Sequence, residues 1–190
     1  MAITISGYDF RESVRETAEN RQDSYTLSGS DTIWKFPARF GEGYWREIQL
    51  RQGLSLTLSD YQLHENLIQN YTDCAAHPLE FSFFLSGDYN LSLDCGDYYS
   101  SIAGQHMLCG SGLIPASFLT HSEKQRIRVV SVQLTSQLFK SFFGNASEPV
   151  PSELSHLVRH PEQEFFVRFS KTTSAMQRAL QQIVNCPYKN

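Results

Sequence analysis

The chain contains no run of 18 apolar residues, so nothing in it reads as a membrane-spanning helix. Its start, MAITISGYDFRESVRET, has neither a basic leading region nor an apolar core, and it does not read as a secretory leader. There are only four cysteines, Cys74, Cys95, Cys109 and Cys186, and no two stand as C-x-x-C, which disfavours zinc ribbons and thioredoxin-type chemistry. Free thiols without a leader make the reducing cytoplasm the expected compartment. Basic clusters are equally scarce. The formal charge is −4 and the densest basic stretch is Lys124 to Arg128 (KQRIR), which reads as the solvated start of a strand. A chain that binds nucleic acid by itself needs a clustered basic face to neutralise phosphates, and none is present.

Catalytic signatures are missing too. There is no G-x-S-x-G; Gly110-Ser111-Gly112 is a turn that no helix follows. Gly41-Glu42-Gly43 precedes a strand, whereas a phosphate cradle opens a helix. The six histidines, His64, His77, His106, His121, His156 and His160, include no H-x-H pair of the kind that aims two ligands into a barrel. His156 and His160 stand at i and i+4 but lack the intervening Glu of H-E-x-x-H, and Pro161 ends that helix. Cys95 lies between aspartates (DCGD), which oppose thiolate formation, and Cys109 sits in an apolar run that reads as core. No catalytic residue, metal site or cofactor is therefore expected. A metal-dependent cupin enzyme, a dioxygenase or isomerase, is the alternative to a binding role.

What is present is a chain of 190 residues, enough for one domain that buries roughly 70% of its unfolded surface. Residues 1–30 are polar, with Phe10, Val14 and Tyr25 nearly alone as large apolar side chains, and read as an arm or a marginal helix rather than core. Folded over the barrel mouth, such an arm would use Phe10 or Tyr25 as its anchor. Over residues 31–134 the period is two. YWREIQLR (44–51) and LSLTLS (54–59) alternate and are joined by a Gly53 turn as a hairpin. LEFSFFLSG (79–87) and YNLSLDCG (89–96) form a second hairpin signal around Gly87-Asp88, and further short strands fit 104–110, 115–121 and 126–134. EFFVRF (164–169) is ambiguous between strand and helix. From residue 135 the period becomes helical: Thr135 or Ser136 caps a stripe of Leu138, Phe139, Phe142 and Phe143 closed by Gly144. A short helix follows from Ser152, with a two-proline loop before it. Thr172 or Thr173 caps a last helix carrying Met176, Leu180, Ile183 and Val184. Strands first and helices last give a mostly β, α+β chain: a cupin-like jelly roll or barrel followed by a small helical segment.

A barrel lumen can hold one small ligand, and polar or aromatic residues in phase with the inward face are its candidates. Arg46 shares a face with Tyr44, Ile48 and Leu50 and is suited to bidentate pairing with a carboxylate or phenolate. The opposite face, Trp45, Glu47 and Gln49, is the alternative inward one. Trp45 is suited to stacking on a planar ligand or plugging the barrel, His106 to donating a hydrogen bond, and Phe81 and Phe83 to lining the lumen or filling it. Leu138, Phe139, Phe142, Met176, Leu180 and Ile183 are the candidates for pairing two copies of the chain.

GEGYWREIQLRQGLSLTLSDYQL (41–63) and LEFSFFLSG (79–87) resemble the sensor half of AraC/XylS-type transcription regulators, and TTSAMQRALQQIVNCPY (172–188) is similar to the branch typified by the pyochelin regulator PchR. The resemblance spans about Gly41 to Tyr188. It implies a cupin-like barrel with an effector pocket, a homodimer formed through the C-terminal helices, and operator DNA bound only through a helix-turn-helix domain expected beyond Asn190. In that branch the implied effector is a ferric siderophore.

Overall fold

The computed structural model describes residues 2–21, 24–71, 76–94, 96–113, 115–143, 150–159, 163 and 166–186. Cys74, Cys95, Gly144, His160, Pro161, Pro187, Tyr188, Asn190 and most of the two-proline loop, about which the sequence raised expectations, lie outside them.

The strands are β1 (Ala2–Ser6), β2 (Ser24–Ser28), β3 (Asp31–Lys35), β4 (Gly41–Arg51), β5 (Leu54–Leu63), β6 (Asn66–Tyr71), β7 (Ala76–His77), β8 (Leu79–Ser86), β9 (Tyr89–Leu93), β10 (Tyr98–Ser101), β11 (Gln105–Cys109), β12 (Gly112–Leu113), β13 (Ser117–His121), β14 (Ile127–Leu134) and β15 (Val167–Lys171). The helices are α1 (Gly7–Arg21), α2 (Ser136–Ser141) and α3 (Ser174–Val184), with a 3-10 turn at Ser152–Leu157. The larger sheet runs β15-β11-β8-β14-β5-β4-β3-β2 and the smaller β1-β6-β13-β9-β10; β7 and β12 pair separately. The two sheets face one another as a cupin-like jelly-roll sandwich, with aromatic and aliphatic side chains from both in its core.

The β4–β5 hairpin forms as its alternation and Gly53 require: Gly53 takes φ +79°, a conformation most side chains resist. The Gly87 turn does something else. It carries the chain from β8 in the larger sheet to β9 in the smaller, so the expected second hairpin is a sheet-to-sheet crossing. Residues 167–171 resolve the ambiguous segment as strand, pairing β15 with β11. Thr135 and Thr173 cap α2 and α3, each accepting from the backbone N–H three residues on.

The reading of residues 1–30 as an arm outside the core is corrected at its apolar positions. β1 adds to the smaller sheet, parallel to β6, and Ser6 caps α1 by accepting from the Asp9 amide at 2.9 Å. Phe10 and Val14, one helical turn apart, are 2% and 4% exposed. The Phe10 ring lies 5.7 Å from Phe36, 5.4 Å from Phe40 and 5.8 Å from Trp45. Two apolar residues on one face suffice here because the other elements supply the rest of the aromatic cluster. Gly7 lets the helix start against the Tyr71 ring, where a Cβ would stand 2.2 Å from it. Tyr25, the other expected anchor, sits in β2 opposite Ile33 of β3.

Candidate functional site

Cross-strand partners share a face, so the register divides the larger sheet into rows. On the face toward the smaller sheet, one row reads Gln49, Ser55, Gln133, Glu80 and Cys109. The next reads Glu47, Thr57, Ser131, Ser82, Met107 and Phe169. A third reads Trp45, Ser59, Val129 and Phe84. The first two rows are polar across β4, β5, β14 and β8. Beyond the third, Tyr61, Leu63 and Ile127 close the space with Phe10, Phe36 and Phe40. The inner face thus has an aromatic, filled end and a polar end. Ser55, Thr57, Ser131, Gln133 and Glu80 at the polar end are only half-buried.

The opposite face inverts this. Arg46, Leu58, Val130, Phe83, His106 and Ser170 form one row, and Ile48, Leu56, Val132, Phe81, Leu108 and Arg168 another. Leu56, Leu58 and Val130 are buried there against Leu180 of α3, with Phe83, Leu85 and Ile183 packed alongside. Four of the five effector candidates, Arg46, Phe81, Phe83 and His106, are therefore on the face turned away from the lumen; three share a row. The expectation that they line the lumen is corrected: the leucine-rich phase of β5 is buried by a helix outside the sandwich, and the serine-rich phase points in. Arg46 pairs bidentately with Asp31, at 3.0 Å to Oδ1 and 2.6 Å to Oδ2, which raises its pKa. His106 packs at 5.7 Å on Phe83, and burial lowers its pKa. Only Trp45 faces inward, and its indole N–H donates to Ser59 Oγ.

The helical candidates divide likewise. Leu180 is 4% exposed and Ile183 packs beside it on the chain's own sheet, so neither presents a free apolar face. Met176, Leu138 and Phe139 are half-buried, and Phe142 is 55% exposed with Arg51 over its ring at 5.6 Å. Between α3 and the sheet's outer face runs a groove of about 360 Å³, bordered by Leu85, Arg128, Thr172, Gln177, Leu180 and Val184.

Two hydrogen-bonded groups occupy the lumen. Tyr61 Oη lies 3.0 Å from His121 Nδ1, and His121 Nε2 lies 3.3 Å from Gln69 Oε1, linking the two sheets. Burial lowers the His121 pKa to about 4, so the ring is neutral, and burial raises that of Tyr61. With Gln69 Oε1 accepting, His121 donates from Nε2 and accepts the Tyr61 hydroxyl at Nδ1. The second group centres on Glu80. One of its oxygens accepts from Ser82 Oγ and the other from Gln133 Nε2 at 2.8 Å; His77 Nε2 lies 3.7 Å away, and Ser82 also meets Ser131 at 2.7 Å. Burial, and secondarily the Glu80 charge among other neighbours, raises the Tyr89 and Cys109 pKa values. Sequence reading placed none of these polar residues in the candidate site; His77 and His121 were weighed there only as metal ligands. The signal existed: the inward phase of LSLTLS is Ser55, Thr57 and Ser59, and that of RVVSVQL includes Ser131 and Gln133.

Among the described residues no three His, Cys, Asp or Glu side chains converge as a metal-ligand set, and no helix is long and apolar enough to cross a membrane.

Known structures share this fold. ToxT from Vibrio cholerae strain SCE256 with an unsaturated fatty acid bound superposes with a TM-score of 0.50 and 11% identity, over 73% of this chain and 48% of ToxT. The apo form of a ToxT variant from the same strain gives 0.50 and 12%, over 73% and 51%. The chain thus spans about half the length of the ToxT chains it matches, and at this identity the likeness is one of fold. No curated protein sequence matches it significantly. The family described as the regulatory protein PchR N-terminal domain matches residues 40–190. The chain belongs to that family, the N-terminal domains of PchR-type regulators in the AraC class.

Proposed function

We propose that this chain is the effector-binding module of a cytoplasmic transcription regulator and that the effector enters the polar end of the lumen. The observation that carries the reading is the inverted polarity of β5, β8 and β14. A filled sandwich turns its apolar phase inward, whereas at this end these strands turn Ser55, Thr57, Ser82, Ser131, Glu80 and Gln133 inward and Leu56, Leu58, Val130, Val132, Phe81 and Phe83 out. The module acts by binding, not catalysis. An effector shifts the regulator only if it prefers one arrangement of lumen and C-terminal helices. Homodimerisation through α2 and the exposed side of α3, with Phe142 at its centre, belongs to the same proposal. So does contact with operator DNA through a further domain. A ferric siderophore is the effector class that family membership favours.

Trp45 and Trp34 are cross-strand partners beside the lumen, which makes their emission a reporter. Titration with ferric pyochelin is expected to quench it saturably, and Thr57→Phe, which fills the polar end, to abolish the saturable part. Quenching untouched by Thr57→Phe would move the site elsewhere.

A further inference from the structure

Resting on that lumen reading, the structure also carries information about the charge of the guest. Glu80 is the centre of the polar end. Its side chain is 13% exposed, and its two oxygens are held by a hydroxyl, Ser82, and a carboxamide, Gln133. Both donors are neutral. They satisfy part of the carboxylate's hydrogen-bonding capacity, since each oxygen has two lone pairs, but they leave its charge uncompensated. Among the described residues, His77, 3.7 Å away, carries an opposite charge only when protonated, and the Arg11 charge acts on Tyr71, as that of Glu80 does, without an ion pair to Glu80. The inward positions of β4, β5, β8 and β14 contain no lysine or arginine: they are Gly43, Trp45, Glu47, Gln49, Ser55, Thr57, Ser59, Tyr61, Leu63, Glu80, Ser82, Phe84, Ile127, Val129, Ser131 and Gln133. Arg46, the arginine of β4 that a carboxylate ligand would want, is outside the lumen and already paired with Asp31.

We infer that the lumen takes an amphipathic guest whose polar end is cationic, set against Glu80, and whose apolar or aromatic part points toward half-buried Trp45, and that it rejects guests ending in a carboxylate. Glu80 is then the residue that sets specificity. A ferric chelate of net positive charge meets the same condition; an anionic one does not.

The test uses one carbon skeleton with three ends: 4-phenylbutylamine, 4-phenylbutanol and 4-phenylbutyrate. Each is titrated against tryptophan emission, with a thermal shift as second readout. In the wild-type chain the amine is expected to bind tightest and the carboxylate weakest, with about a tenfold gap or more between them, because like charges brought together without water repel strongly. Glu80→Gln is expected to narrow the gap to within about threefold, while Glu42→Gln, an exposed acid on the outward phase of β4, leaves it. Where Glu80→Gln does not fold, the wild-type ranking decides alone. Carboxylate binding equal to or better than amine binding overturns the charge rule while leaving the lumen reading intact, as does an amine preference that survives in a folded Glu80→Gln chain. Silence from all three probes together with ferric pyochelin removes the lumen reading and this inference with it.

Discussion

Val130 and Ser131 are neighbours in the chain and opposites in environment. Val130 is 1% exposed beneath α3, in a row of leucine and phenylalanine; Ser131 looks into the lumen, half-buried, in a row of threonine, serine and glutamate. One β-sheet thus carries its hydrophobic layer on the outside, where a helix seals it, and a polar, half-buried layer on the inside. Farther along the same inner face, Tyr61, Leu63 and Ile127 pack with Phe10 and Phe36, and the sandwich becomes an ordinary core. The stability of this chain is therefore concentrated at the aromatic end and under α3.

The largest effect is expected at the aromatic end. Phe10→Ala leaves a void among Phe36, Phe40 and Trp45 and should cost about 3–5 kcal/mol in chemical denaturation. An arm merely resting on the barrel would lose almost nothing. Next is Arg46→Ala, which strands the Asp31 carboxylate, 8% exposed, without its partner; roughly 3 kcal/mol is expected. If Arg46 instead served a ligand in the lumen, this variant would keep its stability and lose effector binding.

The bridge between the sheets gives a pH signature. The folded-state pKa of His121 lies near 4, below the 6.5 of an unperturbed histidine, so the unfolded chain takes up the proton first as pH falls. The stability tied to a neutral His121 is complete above about pH 6.5 and declines from there toward pH 4, by about 1.4 kcal/mol per unit. Between pH 7 and pH 5 the wild-type chain should lose about 2 kcal/mol more than His121→Gln; parallel curves would mean that the ring is solvated. The smallest effects come from exchanging the two neighbours. Val130→Ser should cost about 2–3 kcal/mol, and Ser131→Val less than about 1 kcal/mol in either direction. Equal costs would erase the contrast between the faces.

Strand alternation, the Gly53 hairpin and the caps at Thr135 and Thr173 are set by local chemistry, and they were legible in the sequence for that reason. The order β-then-α was legible in outline, broken by α1 near the start and by β15 before α3, and so was the apolar stripe of α3. What alternation does not contain is which phase faces the second sheet. Leu54, Leu56 and Leu58 mark a face that must be buried, but α3, more than 100 residues later in the chain, buries it from outside. The candidate site followed from that choice: Arg46, Phe81, Phe83 and His106 were selected in phase with the leucines, and Glu80, Ser82, Ser131 and Gln133 were passed over. Trp45 survived as an inward residue because the opposite face of β4 was kept open as an alternative. Phe10 and Val14 stood out in the sequence but not as core, because two apolar residues in a polar stretch give a weak periodic signal and their partners lie in other elements.

The solvated lumen is tested most directly by thiol labelling. Ser131→Cys and Val130→Cys are treated in turn with a small thiol reagent, and the label is located by peptide mass. Cysteine at 131 should react at a rate approaching that of a free thiol and be shielded by a bound effector, while cysteine at 130 should react only on unfolding. Equally slow labelling at both positions would mean that the inner face is packed shut, and the binding site proposed here would not exist.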